Sequence, residues 1–385
     1  MVLDTSDRSS VNRMDLDPAS LVAEARCIAD DDGGTPLRFV PDLTELTRAI
    51  DSEARLHDQG RARTRAALVS ALVTQIRVRH MTAAVPEISS VPIRPVFITG
   101  LLRTGTTFLQ HLLAQHPDLR SPALWETMAP AAAEEPDDLI AACEAYIEEY
   151  YRAAPGFRSI HLLQAQLPEE CHRLTASSFR HSIYALRYRV PGYSRWLRGQ
   201  SMLPAYRFHK DQLRCVLWRR PGAPVLLKCP SHLWHAEDLA RVYPNAKVIR
   251  LHRSPAVAVP SVCSLTSTVR AARSDAVDRE EIGRYWLDYA AEALNRLRRG
   301  TGPTATAPLD LNFRDVVGDP LGAAERVCDY IGVPLTAEAG RRMTAFIAAE
   351  NDATTGRHTY ALEDFGLTER DFEERFAPYR SEFGI

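Results

Sequence analysis

Residues 96–109 read Val-Phe-Ile-Thr-Gly-Leu-Leu-Arg-Thr-Gly-Thr-Thr-Phe-Leu. The apolar run Val96–Ile98 predicts a buried strand, and the spacing of the apolar residues from Phe108 onward predicts a helix. A loop bounded by Gly100 and Gly105 lies between them. In such an arrangement the N–H groups of the loop and the positive end of the helix dipole face the same point. The stretch therefore predicts a phosphate-binding loop that follows a strand.

This loop departs at one position from the G-x-x-x-x-G-K-[ST] motif of ATP-binding proteins. Gly100 and Gly105 stand at the two glycine positions, but Thr106 replaces the lysine, and Thr107 follows it. The cation lies inside the loop instead, at Arg103. A loop that keeps the phosphate cradle without this lysine indicates a phosphate compound other than a metal–nucleotide complex.

The composition is that of an ordinary globular chain of 385 residues, 45% hydrophobic and 25% charged. Its net charge of −2 gives no indication of a nucleic-acid or membrane-surface partner. No apolar run approaches the roughly 20 residues of a membrane span, and the polar N-terminus does not resemble a signal peptide. The seven cysteines are widely spaced and form no C-x-x-C pair, which is typical of reduced thiols in the cytoplasm.

The order of predicted elements gives an α/β fold, a central parallel sheet flanked by helices. Residues 1–16 are expected to be disordered, and residues 17–90 to form a helical N-terminal region. Residues 91–385 are expected to hold the α/β domain with a C-terminal helical tail. Further strands are predicted at residues 224–228, 246–252 and 308–313. Strands that alternate with helices in this way form parallel sheets with right-handed crossovers.

A second arginine follows the strand predicted at residues 246–252. The sequence His-Arg-Ser-Pro, residues 252–255, turns into a helix that carries Ser261, eight residues after Arg253. Ligands of α/β sheets bind at the carboxyl ends of the strands, so we expect Arg253 on the same rim as the loop. A guanidinium fork beside a hydroxyl suits a second phosphate. For Arg253 alone, a surface ion pair with a carboxylate is the alternative.

Together the two motifs resemble those of sulfotransferases that use 3′-phosphoadenosine 5′-phosphosulfate (PAPS). Leu-Leu-Arg-Thr-Gly-Thr-Thr, residues 101–107, resembles their 5′-phosphosulfate loop, and Arg253 with Ser261 resembles their 3′-phosphate motif. Further stretches resemble the bacterial branch of this P-loop-like superfamily at residues 97–103, 227–232 and 357–367. The resemblance covers about residues 90–385, and the ordered pair of motifs makes it specific.

The resemblance implies transfer of a sulfuryl group from PAPS to a hydroxyl, or less commonly an amine, with release of the nucleotide PAP. It implies no metal and a small-molecule acceptor, which in bacterial relatives is a carbohydrate, a lipid or a phenolic metabolite. No residue selects among these acceptors. The implied PAPS contacts are Arg103, Thr104, Gly105, Thr106, Thr107, Arg253 and Ser261, with Arg357, His358 and Tyr360 from the tail.

Sulfuryl transfer resembles phosphoryl transfer in its loose, in-line transition state, so positioning and charge neutralisation do most of the catalysis. Arg103 stands where many relatives carry lysine, and we interpret it as the cation that stabilises the leaving group. A guanidinium keeps its proton near neutral pH. Arg103 is therefore expected to act through its charge and not as an acid.

The acceptor hydroxyl needs a base. The sequence Pro-Glu-Glu-Cys-His-Arg, residues 168–173, places Glu169, Glu170 and His172 close together. We predict Glu170 as the base, with Glu169 and His172 as alternatives from the same motif. A solvated charge pair at the start of a helix is the structural alternative.

Lys228 and His232 form a second candidate group at the end of the strand predicted at residues 224–228. In the cytosolic branch of the family this strand end carries a lysine and, two residues later, the catalytic histidine. Here Lys228 is kept, but Pro230 occupies the histidine position and His232 follows two residues further on. We predict that Lys228 contacts the transferred group, with His232 as another possible base.

Aromatic residues between positions 184 and 208, with Trp125 and Glu126, fit either an acceptor pocket or a core. Their spacing is more typical of a core. His111 and His116 are interpreted as structural residues of the loop helix and its end.

Two other function classes compete with sulfuryl transfer. A P-loop kinase or NTPase needs the loop lysine and an aspartate that holds Mg²⁺. Thr106 stands in place of the loop lysine, and only Asp310, late in the chain, could serve as the aspartate. A non-catalytic PAP-binding protein of the same fold is the other alternative.

Overall fold

Four parallel strands form the centre of the computed structural model, which describes residues 14–300, 306–353 and 361–385. They are β1 (Pro95–Gly100), β2 (Val225–Lys228), β3 (Lys247–His252) and β4 (Leu309–Asn312), in the order β2-β1-β3-β4. The predicted α/β fold with a parallel sheet is confirmed. All residues of β1 and β2 are buried, which explains why these strands read as continuous apolar runs.

Eighteen α-helices surround the sheet in the described ranges. Those before β2 are α1 (Pro18–Ile28), α2 (Val40–Glu53), α3 (Asp58–Ala84), α4 (Thr106–Leu113), α5 (Leu124–Met128), α6 (Pro136–Ala153), α7 (Phe157–Ile160), α8 (His172–Ala176), α9 (Ile183–Arg187), α10 (Pro191–Arg198) and α11 (Leu203–Leu217). The later helices are α12 (Ala236–Val242), α13 (Pro255–Ala271), α14 (Arg279–Arg298), α15 (Phe313–Gly318), α16 (Pro320–Ile331), α17 (Ala337–Ala353) and α18 (Glu369–Phe383). None of the described helices has the length and apolarity needed to cross a bilayer.

The N-terminal helices α1–α3 pack against the sheet. Their apolar residues share one buried cluster with Phe97 of β1 and with Val225 and Leu227 of β2. Leu16, at the end of the segment predicted to be disordered, is fully buried in this cluster, while residues 1–13 lie outside the described ranges. Asp17 caps α1 by accepting a hydrogen bond from the N–H of Ser20.

Helices α14 and α18 form another apolar cluster together with α6 and α13. Helix α14 was not predicted, although Asp278 and Glu281 give it an N-terminal capping signal, with the Asp278 carboxylate accepting from the Glu281 N–H. Helix α18 reaches the end of β3, where the Tyr379 hydroxyl lies 2.9 Å from Nδ1 of His252. The C-terminal helix thus lies beside the strand end that carries Arg253.

The loop between β1 and α4 depends on two glycines. Gly105 has φ = +88°, and a Cβ there would lie 2.6 Å from Cδ2 of Phe313. A Cβ on Gly100 would lie 2.5 Å from the carbonyl oxygen of Leu251. Within the loop, the Thr104 hydroxyl donates to the carbonyl of Leu101 at 2.7 Å. Only glycine meets both the positive φ and the close approach at position 105.

Gly105→Ala is expected to lower the free energy of unfolding by at least about 2 kcal/mol, because a left-handed backbone strain and an overlap with Phe313 add together. Gly222→Ala is the matched control, since Gly222 has φ = +108° and a Cβ added there would meet no atom within 4 Å. Gly222→Ala should lower the free energy of unfolding by only about 1 kcal/mol. Urea unfolding of both variants measures the difference. Equal losses would show that Phe313 yields freely to the added methyl group.

Candidate active site

The two arginine motifs meet at the carboxyl edge of the sheet. Arg103 donates from Nε to the hydroxyl of Ser261 at 3.1 Å, and Arg253 donates from Nη1 to the carbonyl oxygen of Arg103 at 2.9 Å. We call Arg103, Arg253 and Ser261 the rim cluster. Residues 150 or more positions apart in the sequence are brought together because β1 and β3 are parallel neighbours. The structure thus places Arg253 and Ser261 beside the loop, as expected.

Phe313 packs against the rim cluster through Arg253. The guanidinium carbon of Arg253 lies 4.1 Å from the centre of the Phe313 ring, a distance typical of a cation–π contact. The same ring packs against Gly105. Phe313 was not predicted as a site residue, but it directly follows β4 and so lies at the same edge as the loop. Its ring holds the Arg253 side chain next to the loop.

Lys228, the last residue of β2, connects the loop helix with the acidic motif. Its side chain is fully buried, and Nζ lies 3.1 Å from the hydroxyl of Thr107 and 2.7 Å from Oε1 of Glu170. Thr107 belongs to the first turn of α4, and Glu170 lies just before α8. The ammonium group therefore stands between the phosphate loop and the predicted base.

Glu170 is held as a carboxylate. Burial alone would raise its pKa, but the ammonium of Lys228 and a hydrogen bond from His172 lower the pKa well below the ordinary glutamate value. Oε2 of Glu170 lies 3.2 Å from Nδ1 of His172, while Oε1 faces Lys228. At neutral pH the Glu170 side chain is therefore ionised.

His172 is buried, and burial lowers its pKa below the ordinary histidine value although Glu170 opposes this shift. The ring is therefore neutral at pH 7. Its Nδ1 donates to the carboxylate of Glu170, so Nε2 carries the lone pair. That Nε2 atom is buried and has no hydrogen-bond partner among the described residues. His172 thus orients Glu170.

Glu169 has a structural role. Its Oε2 lies 2.9 Å from Nε2 of His161, and its Oε1 accepts the N–H of Glu170 at 2.7 Å. Both oxygens are occupied by neighbours of the acidic motif. Among the candidate bases of this motif, only Glu170 also contacts Lys228.

His232 lies in a different environment from Lys228, although Lys228 ends β2 and His232 follows it by only four residues. Its Nε2 is 3.1 Å from the thiol of Cys171, and its Nδ1 is 3.0 Å from the hydroxyl of Tyr206. The ring is 1% exposed and meets the edge of Phe97, and burial lowers its pKa well below the ordinary value. Both nitrogens of His232 are thus engaged by core side chains.

The other singled-out residues mostly hold the fold together. Glu126 accepts from the N–H of Ala123 at 2.8 Å and caps α5. His111 and His116 contact the carbonyl oxygens of Pro168 and Pro334, each at 3.1 Å, in line with the structural roles predicted for them. Of the predicted aromatic set, Tyr184, Tyr188, Tyr193 and Tyr206 all belong to one buried cluster, and Tyr184 and Tyr188 also line a cavity next to α8. Arg357, His358 and Tyr360 lie outside the described residues.

Asp310, the late candidate for a Mg²⁺ ligand, has other partners. Its carboxylate accepts from Nε and Nη2 of Arg250 at 2.6 and 2.5 Å, and lies 2.7 Å from Nε2 of His252. These contacts lower the pKa of Asp310 to about 2, against the effect of burial. Within the described part of the chain, no three His, Cys, Asp or Glu side chains form a group that would hold a metal ion.

Comparison with known proteins agrees with this geometry. Residues 95–337, more than half of the chain, match the model of the Sulfotransferase family. The omega-hydroxy-beta-dihydromenaquinone-9 sulfotransferase Stf3 of Mycobacterium bovis and its counterpart in Mycobacterium tuberculosis are 24% identical to this chain over 295 residues. The match covers 73% of this chain and 73% of the relative in each case.

Two solved structures share the fold over nearly the whole chain. Sulfotransferase STF1 from Mycobacterium tuberculosis superposes with a TM-score of 0.81 at 30% identity, covering 94% of this chain and 98% of that one. Sulfotransferase STF9 from Mycobacterium avium has a TM-score of 0.84 at 24% identity, covering 95% and 96%. With a family match across the sheet and its rim, this chain belongs to the sulfotransferase family and is an enzyme of sulfuryl transfer.

Proposed function

We propose that this sulfotransferase uses PAPS as the donor, transfers its sulfuryl group to a hydroxyl of a small-molecule acceptor and releases PAP. The observation that carries the proposal is the rim cluster, in which Arg103 of the phosphate loop binds the Ser261 hydroxyl and accepts a hydrogen bond from Arg253 at its carbonyl oxygen. Two phosphate-binding groups on one rim match a donor that carries a 5′-phosphosulfate and a 3′-phosphate.

The loop suits the 5′-phosphosulfate. The backbone at Gly105 leaves no room for a side chain, and the first N–H groups of α4 have no partner within the helix. PAPS carries its sulfuryl group on the 5′-phosphate. That phosphate gains negative charge as the nucleotide leaves. The N–H groups and the Arg103 guanidinium are suited to stabilise that charge, and Arg103 keeps its proton while it does so.

Arg253 and Ser261 suit the 3′-phosphate. The Phe313 ring and the Arg103 carbonyl hold the Arg253 guanidinium in place, so its remaining N–H donors are preorganised. A planar fork and a hydroxyl bind phosphate oxygens with directional, charge-assisted hydrogen bonds. In this proposal the contact between Arg103 and Ser261 also links the two phosphate sites.

Lys228 has two roles in the proposed reaction. In the described structure its ammonium binds Glu170 at 2.7 Å and lowers the pKa of that carboxyl. Sulfuryl oxygens placed beside Thr107 would attract the same ammonium. Its contact with Glu170 would then weaken, and the pKa of Glu170 would rise towards the ordinary value. A carboxylate with a higher pKa is a stronger base, so donor binding would prepare Glu170 for catalysis.

Glu170 is the proposed base. Oε1, the oxygen that faces Lys228, would accept the proton of the acceptor hydroxyl, while Oε2 stays bound to Nδ1 of His172. His172 is a positioning residue in this scheme, because its own Nε2 is buried. Glu170 is the more accessible of the two side chains, at 19% against 9% exposure.

The acceptor is proposed to carry a hydroxyl in preference to an amine. Support comes from the relative Stf3, whose name describes a hydroxylated menaquinone as its acceptor. The two other function classes, a kinase or NTPase and a non-catalytic PAP-binding protein, do not agree with the family to which the chain belongs. The cytoplasmic location stays a prediction from the seven cysteines, all of which are free thiols.

PAP is expected to raise the melting temperature, and ATP with Mg²⁺ is not. A ligand at about a hundred times its Kd adds about 2.7 kcal/mol to the stability of the folded state.

Arg253→Ala should raise the Kd of PAP by about 10- to 100-fold through the loss of charge-assisted hydrogen bonds. Arg219→Ala, which removes an exposed arginine before β2, is the control. An unchanged Kd in Arg253→Ala would contradict the 3′-phosphate assignment.

Arg103→Ala is expected to remove at least about 2 to 3 kcal/mol of transition-state stabilisation, because one preorganised charge is lost. This loss appears as a lower kcat with PAPS. Initial rates with labelled PAPS give kcat, and the Arg219→Ala variant again serves as the control. Near-normal turnover of Arg103→Ala would remove Arg103 from the catalytic set.

Glu170→Gln is expected to lower kcat by about 10²- to 10⁴-fold while leaving the Kd of PAP near its original value, because only the base is lost. His172→Gln should lower kcat much less, and it should move the acid limb of the pH profile of kcat to higher pH. The reason is that the His172 hydrogen bond helps to lower the pKa of Glu170. If His172→Gln is as inactive as Glu170→Gln and no limb moves, His172 is the base.

A further inference from the structure

A cavity of about 370 Å³ lies between α3, α6, α8 and α9. Alanines of α3, among them Ala67 and Ala71, form one wall. The facing walls carry the four tyrosines Tyr146, Tyr150, Tyr184 and Tyr188. Its volume falls within the range of about 300 to 1,000 Å³ that is usual for small-molecule pockets. Small side chains opposite aromatic rings leave a space suited to a flat apolar body.

Four arginines line the same cavity, and one of them, Arg63 of α3, is paired with Glu149. Three others remain. They are Arg173 of α8, Arg187 of α9 and Arg273, which follows α13. Arg173 lies 5.6 Å from the ring centre of Tyr146, and Arg273 lies 5.7 Å from that of Tyr150. Burial would raise the pKa of Tyr146, but the three guanidinium groups together lower it. Their common effect on one phenol indicates that the three charges converge.

The carboxylates near the cavity have other partners. Glu149 lines it, but it binds Arg63 at 3.2 Å and also Arg152. Glu169 acts on Arg173 from a greater distance and is bound to His161.

Arg173, Arg187 and Arg273 therefore have no close ion-pair partner within the described structure. No described carboxylate oxygen lies within 4.0 Å of a side-chain nitrogen of Arg173, Arg187 or Arg273. Nε of Arg173 is buried without a hydrogen-bond partner among the described residues. Clustered cations in an apolar, partly enclosed space are unfavourable unless an anion joins them. Arginine forks bind carboxylates with two parallel hydrogen bonds.

We propose that this cavity binds the acceptor, and that the acceptor is an aromatic acid with a hydroxyl at the end away from its acid group. The inference rests on the proposed function and deepens it. Arg173, Arg187 and Arg273 bind the carboxylate, and the tyrosine rings pack against the aromatic body.

Helix α8 connects the cavity with the reacting groups. Its first residue, His172, binds Glu170, and its second, Arg173, lines the cavity. Arg187 also acts electrostatically on His172. In the proposed pose the acid group lies in the cavity and the hydroxyl end of the acceptor extends past the start of α8 towards Glu170. The N-terminal helix α3 becomes part of the acceptor site, since it provides one wall.

The probes are 6-hydroxy-2-naphthoate and 2-naphthol, which share the ring system and the hydroxyl but differ in the acid group. Fluorescence titration of the full-length protein at pH 7 without PAPS measures their Kd values. The acid is expected to bind at least about tenfold more tightly, as charge-assisted pairing adds about 1.4 kcal/mol or more. Arg187→Gln should reduce this preference to within about threefold, and Arg187→Lys should retain part of it. Arg219→Gln, the exposed control, should leave it unchanged.

Equal affinities of the two probes for the wild-type protein would overturn the proposal. So would a preference that survives in both Arg187→Gln and Arg273→Gln. Thermal melting checks that each variant folds, and if one does not, the other provides the test.

Binding without PAPS separates this inference from the proposed function. If the acid binds selectively but PAP fails to raise the melting temperature, the cavity assignment stands and the donor assignment fails. If PAP binds and the naphthoate has no advantage over naphthol, the donor assignment stands and the inference about the acceptor fails.

Discussion

The buried ammonium of Lys228 is the constraint on which the site depends. A cation without exposure to water needs partners, because its desolvation costs several kcal/mol. Those partners are Thr107 at the start of α4 and Glu170 before α8. The phosphate loop, the end of β2 and the acidic motif must therefore approach one another within hydrogen-bond distance. Such an ion pair adds little net stability, but it sets the distance between the donor loop and the proposed base.

The opposite side of the loop is organised by a second set of contacts. β1 and β3 are adjacent and parallel, so Arg103 and Arg253 leave the sheet at the same edge, and β4 brings Phe313 beneath them. The cations Arg103 and Arg253 lie on this side, whereas the carboxylate of Glu170 lies beyond Lys228. The proposed donor side thus carries positive charge and the proposed acceptor side carries the carboxylate of Glu170, with Lys228 between the two.

Much of this arrangement could be predicted because its signals are local. An apolar strand, a glycine-bounded loop and an amphipathic helix each depend on residues close in sequence, and the parallel sheet follows from their alternation. Helix α14 also has a local signal, the N-terminal cap at Asp278, but it is absent from the predicted elements. The contrast between Lys228 and His232 was beyond prediction. Lys228 ends β2 and His232 follows four residues later, yet the Lys228 side chain meets Glu170 whereas the His232 ring lies in the core against Tyr206.

The sequence by itself determined the α/β fold, the phosphate loop and the pair of arginine motifs that point to a sulfuryl donor. These depend on residue order and on backbone needs such as the positive φ of Gly105. Only the tertiary structure decided which acidic side chain meets Lys228, and that Arg173, Arg187 and Arg273 converge on one cavity. These groups come from separate helices and strands. Their distances follow from how those elements pack, a property that no single stretch of sequence contains.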